Sequence, residues 1–124
     1  MKINIAIIGL GRIGSVLLQQ MLNYKDKGVT ISAVAEISET PGKTPANEHK
    51  IKIKNLDEII NLGKNVDIIF ELTGQYEVRQ ELRHKLMDNK NFHHSMIAPE
   101  TIAVPICLML TNKEIPDMHL HKGY

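Results

Sequence analysis

The six residues Gly9-Leu10-Gly11-Arg12-Ile13-Gly14 constrain this chain more than any other stretch. They follow Ile3–Ile8 (INIAII), a β-branched run with the composition of a strand buried on both faces of a parallel sheet. They lead into Ile13–Tyr24, where Ile13, Val16, Leu17 and Met21 recur at helical spacing. Asn23–Gly28 then reads as a helix end and turn, and Val29–Glu36 (VTISAVAE) as a second buried strand. Strand, glycine turn, helix and strand thus fit the scale of one βαβ crossover.

The remainder continues the alternation. Ile37–Lys50 is polar, holds two prolines and a glycine, and reads as a loop. Ile51–Ile53 suits a short third strand, and Asn55 opens a short capped helix that Gly63 closes. Val66–Leu72 (VDIIFEL) reads as a fourth strand. Gln75–Lys90 sets Val78, Leu82 and Leu86 on one helical face, with Glu77, Arg79, Glu81 and Arg83 outside. His93–Ala98 suits a fifth strand, and Pro99 the first turn of an apolar helix towards Leu110, with Pro105 predicting a kink or a late start. Right-handed crossovers then give an α/β doubly wound parallel sheet of about five strands, order 3-2-1-4-5, in three layers. Residues 1–112 form the expected domain and 113–124 a frayed tail.

Composition narrows the partners. With 124 residues the chain has room for one domain, and 43% hydrophobic residues support a globular core. Lys plus Arg number 15 against 14 for Asp plus Glu, a formal net charge of +1, so no strong field draws the chain to nucleic acid or lipid. The longest stretches without a charged residue, Ile13–Tyr24 and Thr101–Asn112, fall well short of the roughly 20 residues a membrane span needs. No signal-peptide pattern opens the chain, and the lone Cys107 cannot form an internal bridge. A cytoplasmic protein with a reduced thiol is expected.

The glycine turn carries the chemistry. Gly9, Gly11 and Gly14 form G-x-G-x-x-G between a strand and a helix, the context in which the motif binds a dinucleotide. Gly9 permits the turn, Gly11 lets the backbone approach a pyrophosphate, and Gly14 lets the helix pack on the strand. The anion would rest on N–H groups around Arg12 and Ile13, at the positive end of the helix. Glu36 follows Gly14 by 22 residues, near the spacing of about 20 at which an acid bonds the adenosine ribose. A carboxylate there repels a 2′-phosphate and no arginine adjoins it, which favours NAD over NADP. Leu72 ends the fourth strand and Thr73-Gly74 follows it where strand order reverses, the place where open α/β sheets bind ligands, and the three are expected to line the adenosine side. The competing readings are a glycine turn kept for packing alone, and a cradle for coenzyme A or a flavin.

Residues 1 to about 110 resemble the N-terminal NAD-binding domain of two dehydrogenase groups, the glucose-fructose oxidoreductase and inositol dehydrogenase family and the homoserine and aspartate dehydrogenases. The matching segments are IAIIGLGRIG at Ile5–Gly14, AVAE at Ala33–Glu36 and VDIIFELTG at Val66–Gly74. The resemblance implies that Gly9, Gly11, Arg12, Ile13, Gly14, Glu36, Thr73 and Gly74 hold NAD, and Leu10 and Leu72 belong to the same segments. Two departures accompany it. Where the sugar-oxidising group has Glu-Lys-Pro with a catalytic lysine, this chain reads Ile97-Ala98-Pro99. The substrate domain of those enzymes is also expected to be absent. A weaker likeness is to the NAD-binding-type domains ahead of some bacterial signalling modules.

Acid–base candidates are few. Glu100, at the carboxyl end of the fifth strand, is the one candidate functional acid. His93 and His94 alternate across a strand and are poor co-ligands for one metal, while His119 and His121 lie in the tail. Cys107, among Ile106, Leu108 and Leu110, reads as a core thiol. No catalytic or metal site is assigned. The reading is an NAD(H)-binding protein without a complete active site of its own, acting as a dinucleotide sensor or regulatory module. The alternative is an NAD-dependent oxidoreductase completed by a partner chain or a homodimer, and the apolar last helix is the candidate dimer surface.

Overall fold

The computed structural model describes residues 1–36, 43–48, 50–89 and 94–111. Four parallel strands, β1 (Ile3–Ile8), β2 (Val29–Ala35), β3 (Ile68–Glu71) and β4 (Met96–Pro99), form one sheet in the order β2-β1-β3-β4. Among the described residues five α-helices accompany them: α1 (Arg12–Leu22), α2 (Lys43–Glu48), α3 (Leu56–Ile60), α4 (Tyr76–Asp88) and α5 (Glu100–Leu110). Chain order jumps from one side of β1 to the other between β2 and β3. That reversal opens a crevice at the carboxyl ends of β1 and β3.

Each face of the sheet buries its own core. Ile5 and Ile7 of β1 point to one side, joining Ile13, Leu17, Leu18, Ala103 and Cys107 of α1 and α5. Ala6 and Ile8 point to the other, joining Ile59, Ile60, Leu82 and Leu86 of α3 and α4. A strand flanked on both sides in this way must be apolar throughout, which is why INIAII shows no polar alternation. A register shift after Ile5 leaves Ser32 without a pairing partner in β1, so Ile31 belongs to the first core and Ala33 to the second. Ser32 Oγ donates to the Asn65 carbonyl at 3.0 Å.

Several expectations need correction. The third strand is a single parallel bridge, Ile53 beside Val34, made by Val34 N–H to the Lys52 carbonyl and Lys54 N–H to the Val34 carbonyl. A run this short, entered through Lys50 at a φ of 58°, contributes one pairing and no ladder. Counting that bridge recovers the 3-2-1-4-5 arrangement; the sheet itself has four strands. The stretch read as a loop contains α2, whose Ala46 is buried in the first core and whose Pro45 falls in the first turn, where a missing N–H is tolerated. Asn55 caps α3 as predicted, in a capping box with Glu58, but Asn61 rather than Gly63 ends it.

Helix α4 covers the sheet through Leu82 and Leu86, yet Arg79, expected on its outer face, is buried. The last helix starts at once after Pro99 and continues through Pro105. The carbonyl that Pro105 leaves without a donor belongs to Thr101, and both residues are exposed, so water can serve it. His93, His119 and His121, with the tail, lie outside the described residues. No described helix is long and apolar enough to cross a membrane.

Candidate functional site

The turn after β1 is fixed by two glycines. Gly9 has a φ of 96°, and a Cβ on it would lie 2.9 Å from the backbone of Leu72 and Thr73. A Cβ on Gly14 would lie 1.9 Å from the Gly9 carbonyl oxygen, so α1 can sit this close to the turn only with glycine there. Gly11 differs, because its Cβ would meet nothing within 4 Å. Its φ of −72° lies outside the left-handed region that favours glycine. No packing contact among the described residues calls for a glycine at that position.

Glu36 closes the turn from the end of β2. Its Oε1 accepts the Leu10 N–H at 2.7 Å, and the Leu10 carbonyl accepts Ser15 Oγ at 2.7 Å. Both backbone groups of Leu10 are thereby engaged and its side chain is buried, so Leu10 frames the turn. Ile13 and Gly14 are buried too, and their N–H groups lie in the first turn of α1, where the helix itself offers no acceptor. Arg12 is exposed.

Across the crevice, Leu72-Thr73-Gly74 follows β3. Gly74 takes a φ of 73°, which turns the chain towards α4. Thr73 is held by Glu71, whose Oε1 accepts both the Thr73 N–H at 3.0 Å and the Thr73 hydroxyl. Thr73 Oγ1 in turn accepts the Gln75 N–H at 3.0 Å. Glu71 is fully buried and its Oε2 lies 3.9 Å from Nε of Arg79. Burial lowers the Arg79 pKa, and the Glu71 carboxylate offsets part of that.

A cleft of about 530 Å³ unites these parts. Gly9, Gly11, Glu36, Leu72 and Thr73 of the predicted site line it; Leu10, Arg12, Ile13, Gly14 and Gly74 do not. Besides Ile8 and Ala35 at the strand ends, its remaining wall comes from residues the sequence reading missed, namely Ile53, Lys54, Asn55 and Leu56 before and at the start of α3, with Gln75 and Val78 at α4. The signal for the first four was the third extended run: a segment pairing beside β2 ends next to Glu36. Among the lining residues the ionisable side chains are Glu36 and Lys54. Lys54 Nζ lies 3.9 Å from Glu58, one turn on.

The other candidates stand apart. Glu100 is fully buried and is not part of the cleft lining, which removes it as an acid presented to a ligand there. His94 Nε2 lies 3.2 Å from Asp67, whose other oxygen accepts the Asn4 N–H at 2.7 Å, so it serves the start of β1 and β4. Burial raises the pKa of Cys107 and keeps it a thiol. No group of three or more metal-ligating side chains occurs among the described residues.

Known proteins bear on this geometry. Solved structures of similar fold include homoserine dehydrogenase from S. aureus, with a TM-score of 0.57 and 22% identity over 88% of this chain and 29% of that one. Myo-inositol 2-dehydrogenase from Lactobacillus plantarum gives a TM-score of 0.60 and 20% identity, over 88% of this chain and 33% of that one. A homoserine dehydrogenase from Thiobacillus denitrificans gives 0.56 and 18%, over 89% and 26%. The chain therefore spans about a third or less of the length of these structures. No curated protein matches it. The family model described as homoserine dehydrogenase, NAD binding domain, matches residues 9–93, from the glycine turn through β2, β3 and α4. With most of its length matched there, this chain belongs to the homoserine dehydrogenase NAD-binding domain family.

Proposed function

We propose that the cleft binds NAD(H), with the pyrophosphate on the N–H groups at the start of α1 and the adenosine ribose on Glu36. The observation that carries this reading is Gly11. Gly9 and Gly14 have reasons inside the fold, whereas Gly11 faces open space at the cleft and is explained by a ligand that must approach its backbone. Glu36 has lone pairs beyond the one that takes the Leu10 N–H, so it can serve ribose hydroxyls as well. Its negative charge favours NAD over NADP.

The role that fits best is a dinucleotide-binding module, a sensor or regulatory partner. Its support is the placement of the ionisable side chains that line the cleft among the described residues, Glu36 and Lys54, both on the β2 side at the proposed adenosine end. Family membership supports a second reading, an oxidoreductase whose substrate groups come from elsewhere in a larger protein or assembly. Helix α5 favours such an assembly, because Thr101, Ile102, Pro105, Leu108 and Met109 form an exposed, uncharged stripe suited to a second copy.

Titration of NADH and NADPH, followed by cofactor fluorescence, tests the binding. Saturable NADH binding that is at least tenfold weaker for NADPH is expected, and failure of both to bind refutes the reading. Turnover of NADH with aldehydes, keto acids and sugars separates the two roles. A monomeric mass by light scattering at micromolar concentration removes the homodimer.

A further inference from the structure

Glu71 and Arg79 lie beneath the cleft and do not line it. They nevertheless determine what Thr73 can offer. A threonine hydroxyl has one proton to donate and two lone pairs. Here the proton goes to Glu71 Oε1, and one lone pair takes the Gln75 N–H. What remains on the hydroxyl of Thr73, which lines the cleft, is a single acceptor.

We infer that Glu71, seated against Arg79, is a positioning residue that turns Thr73 into a pure hydrogen-bond acceptor, so that this corner of the cleft receives a neutral donor of the ligand, a hydroxyl or amide N–H, and turns away phosphate. Three observations converge on it. The carboxylate is fully buried with its charge facing Arg79 Nε at 3.9 Å, so it stays in place beneath the turn. It grips Thr73 twice, through the N–H and the hydroxyl, which fixes both the backbone and the rotamer. The same backbone bounds the space beside Gly9, so the grip also holds the two sides of the crevice in register. The cleft then has a polarity. Anionic groups belong at the N-terminus of α1, and neutral donors belong at Glu36 and Thr73.

The inference rests on the nucleotide reading, and a coupling measurement separates the two. NADH is titrated into the wild type, Thr73→Val, the double variant Glu71→Met/Arg79→Met, and the three combined. Replacing both charges by residues of similar volume avoids leaving one of them buried alone. Thr73→Val is expected to weaken NADH about tenfold in the wild type, the scale of one lost hydrogen bond. In the background lacking the pair it is expected to cost less than twofold, because the hydroxyl there is no longer held. Glu71→Gln with Arg79→Met, which restores an acceptor oxygen, brings the coupling back.

A Thr73→Val loss that is the same in every background overturns the inference and leaves the nucleotide reading standing. No NADH binding by the wild type overturns both. Should the double variant fail to fold, Thr73→Ser decides. It keeps the held hydroxyl and is expected within about twofold of wild type, and a loss equal to that of Thr73→Val overturns the inference.

Discussion

Glu36 accepts the backbone N–H of Leu10 at 2.7 Å, so the acid at the end of β2 and the glycine turn after β1 form one unit. This bond ties the ribose and phosphate ends of the proposed site together before any ligand arrives. Removing it has two separable effects. Glu36→Ala leaves the Leu10 N–H without its acceptor and is expected to cost about 1–3 kcal/mol in thermal or urea unfolding, along with NADH binding. Glu36→Gln retains an acceptor oxygen and should stay within about 1 kcal/mol of wild type while still binding NADH less tightly. Equal stability losses in the two variants would mean that Glu36 does not hold the turn.

Gly11 and Gly14 should respond oppositely to the same methyl group. Gly14→Ala drives a Cβ to 1.9 Å from the Gly9 carbonyl oxygen, and a loss of about 3 kcal/mol or outright unfolding is expected. Gly11→Ala meets nothing within 4 Å, so its melting temperature should be unchanged or slightly higher. Its NADH affinity should nevertheless fall at least tenfold. A Gly11→Ala protein that binds NADH normally removes the observation on which the proposed function stands.

Local patterns made much of this legible in the sequence. Gly9, Gly11 and Gly14 mark a turn whose flanks have unmistakable periods, and Asn55 with Glu58 announces a helix start. What was not legible depends on partners far along the chain. Arg79 lies next to Val78 on a helix whose other charges are solvated, and a charge at such a position reads as surface. It is buried because Glu71, on a strand, sits beneath it. Lys54 and Asn55 enter the site only because Ile53 pairs with Val34 across a loop, and one bridge leaves no periodic trace. Helix α2 was obscured by Pro45, a residue that marks a loop in general and a first turn in particular.

Lys54 qualifies the preference for NAD. It shares the cleft wall with Glu36, where a 2′-phosphate would arrive, and its ammonium can partly offset the carboxylate. Lys54→Ala is expected to weaken whatever NADPH binding the wild type shows by about tenfold and to change NADH by less than twofold. Parallel titrations of the two nucleotides check this, and an equal loss for both would place Lys54 against some other part of the ligand.

Two ion pairs on α4 should differ sharply in their worth for stability. Lys85 Nζ lies 2.5 Å from Asp57, and this contact raises the lysine pKa, but both groups meet solvent. Arg79 Nε lies farther from Glu71, at 3.9 Å, with both side chains buried. Distance alone would rank the first pair higher. Desolvation reverses the order, because water and salt screen the exposed pair whereas a buried charge that loses its counter-charge gains no water in exchange. Lys85→Ala should therefore cost little, and less still in added salt. Arg79→Ala should cost about 3–5 kcal/mol with little dependence on salt. Urea unfolding of both variants at low and high ionic strength measures the difference, and an Arg79→Ala protein of near wild-type stability would show that Glu71 is accommodated in the core without it.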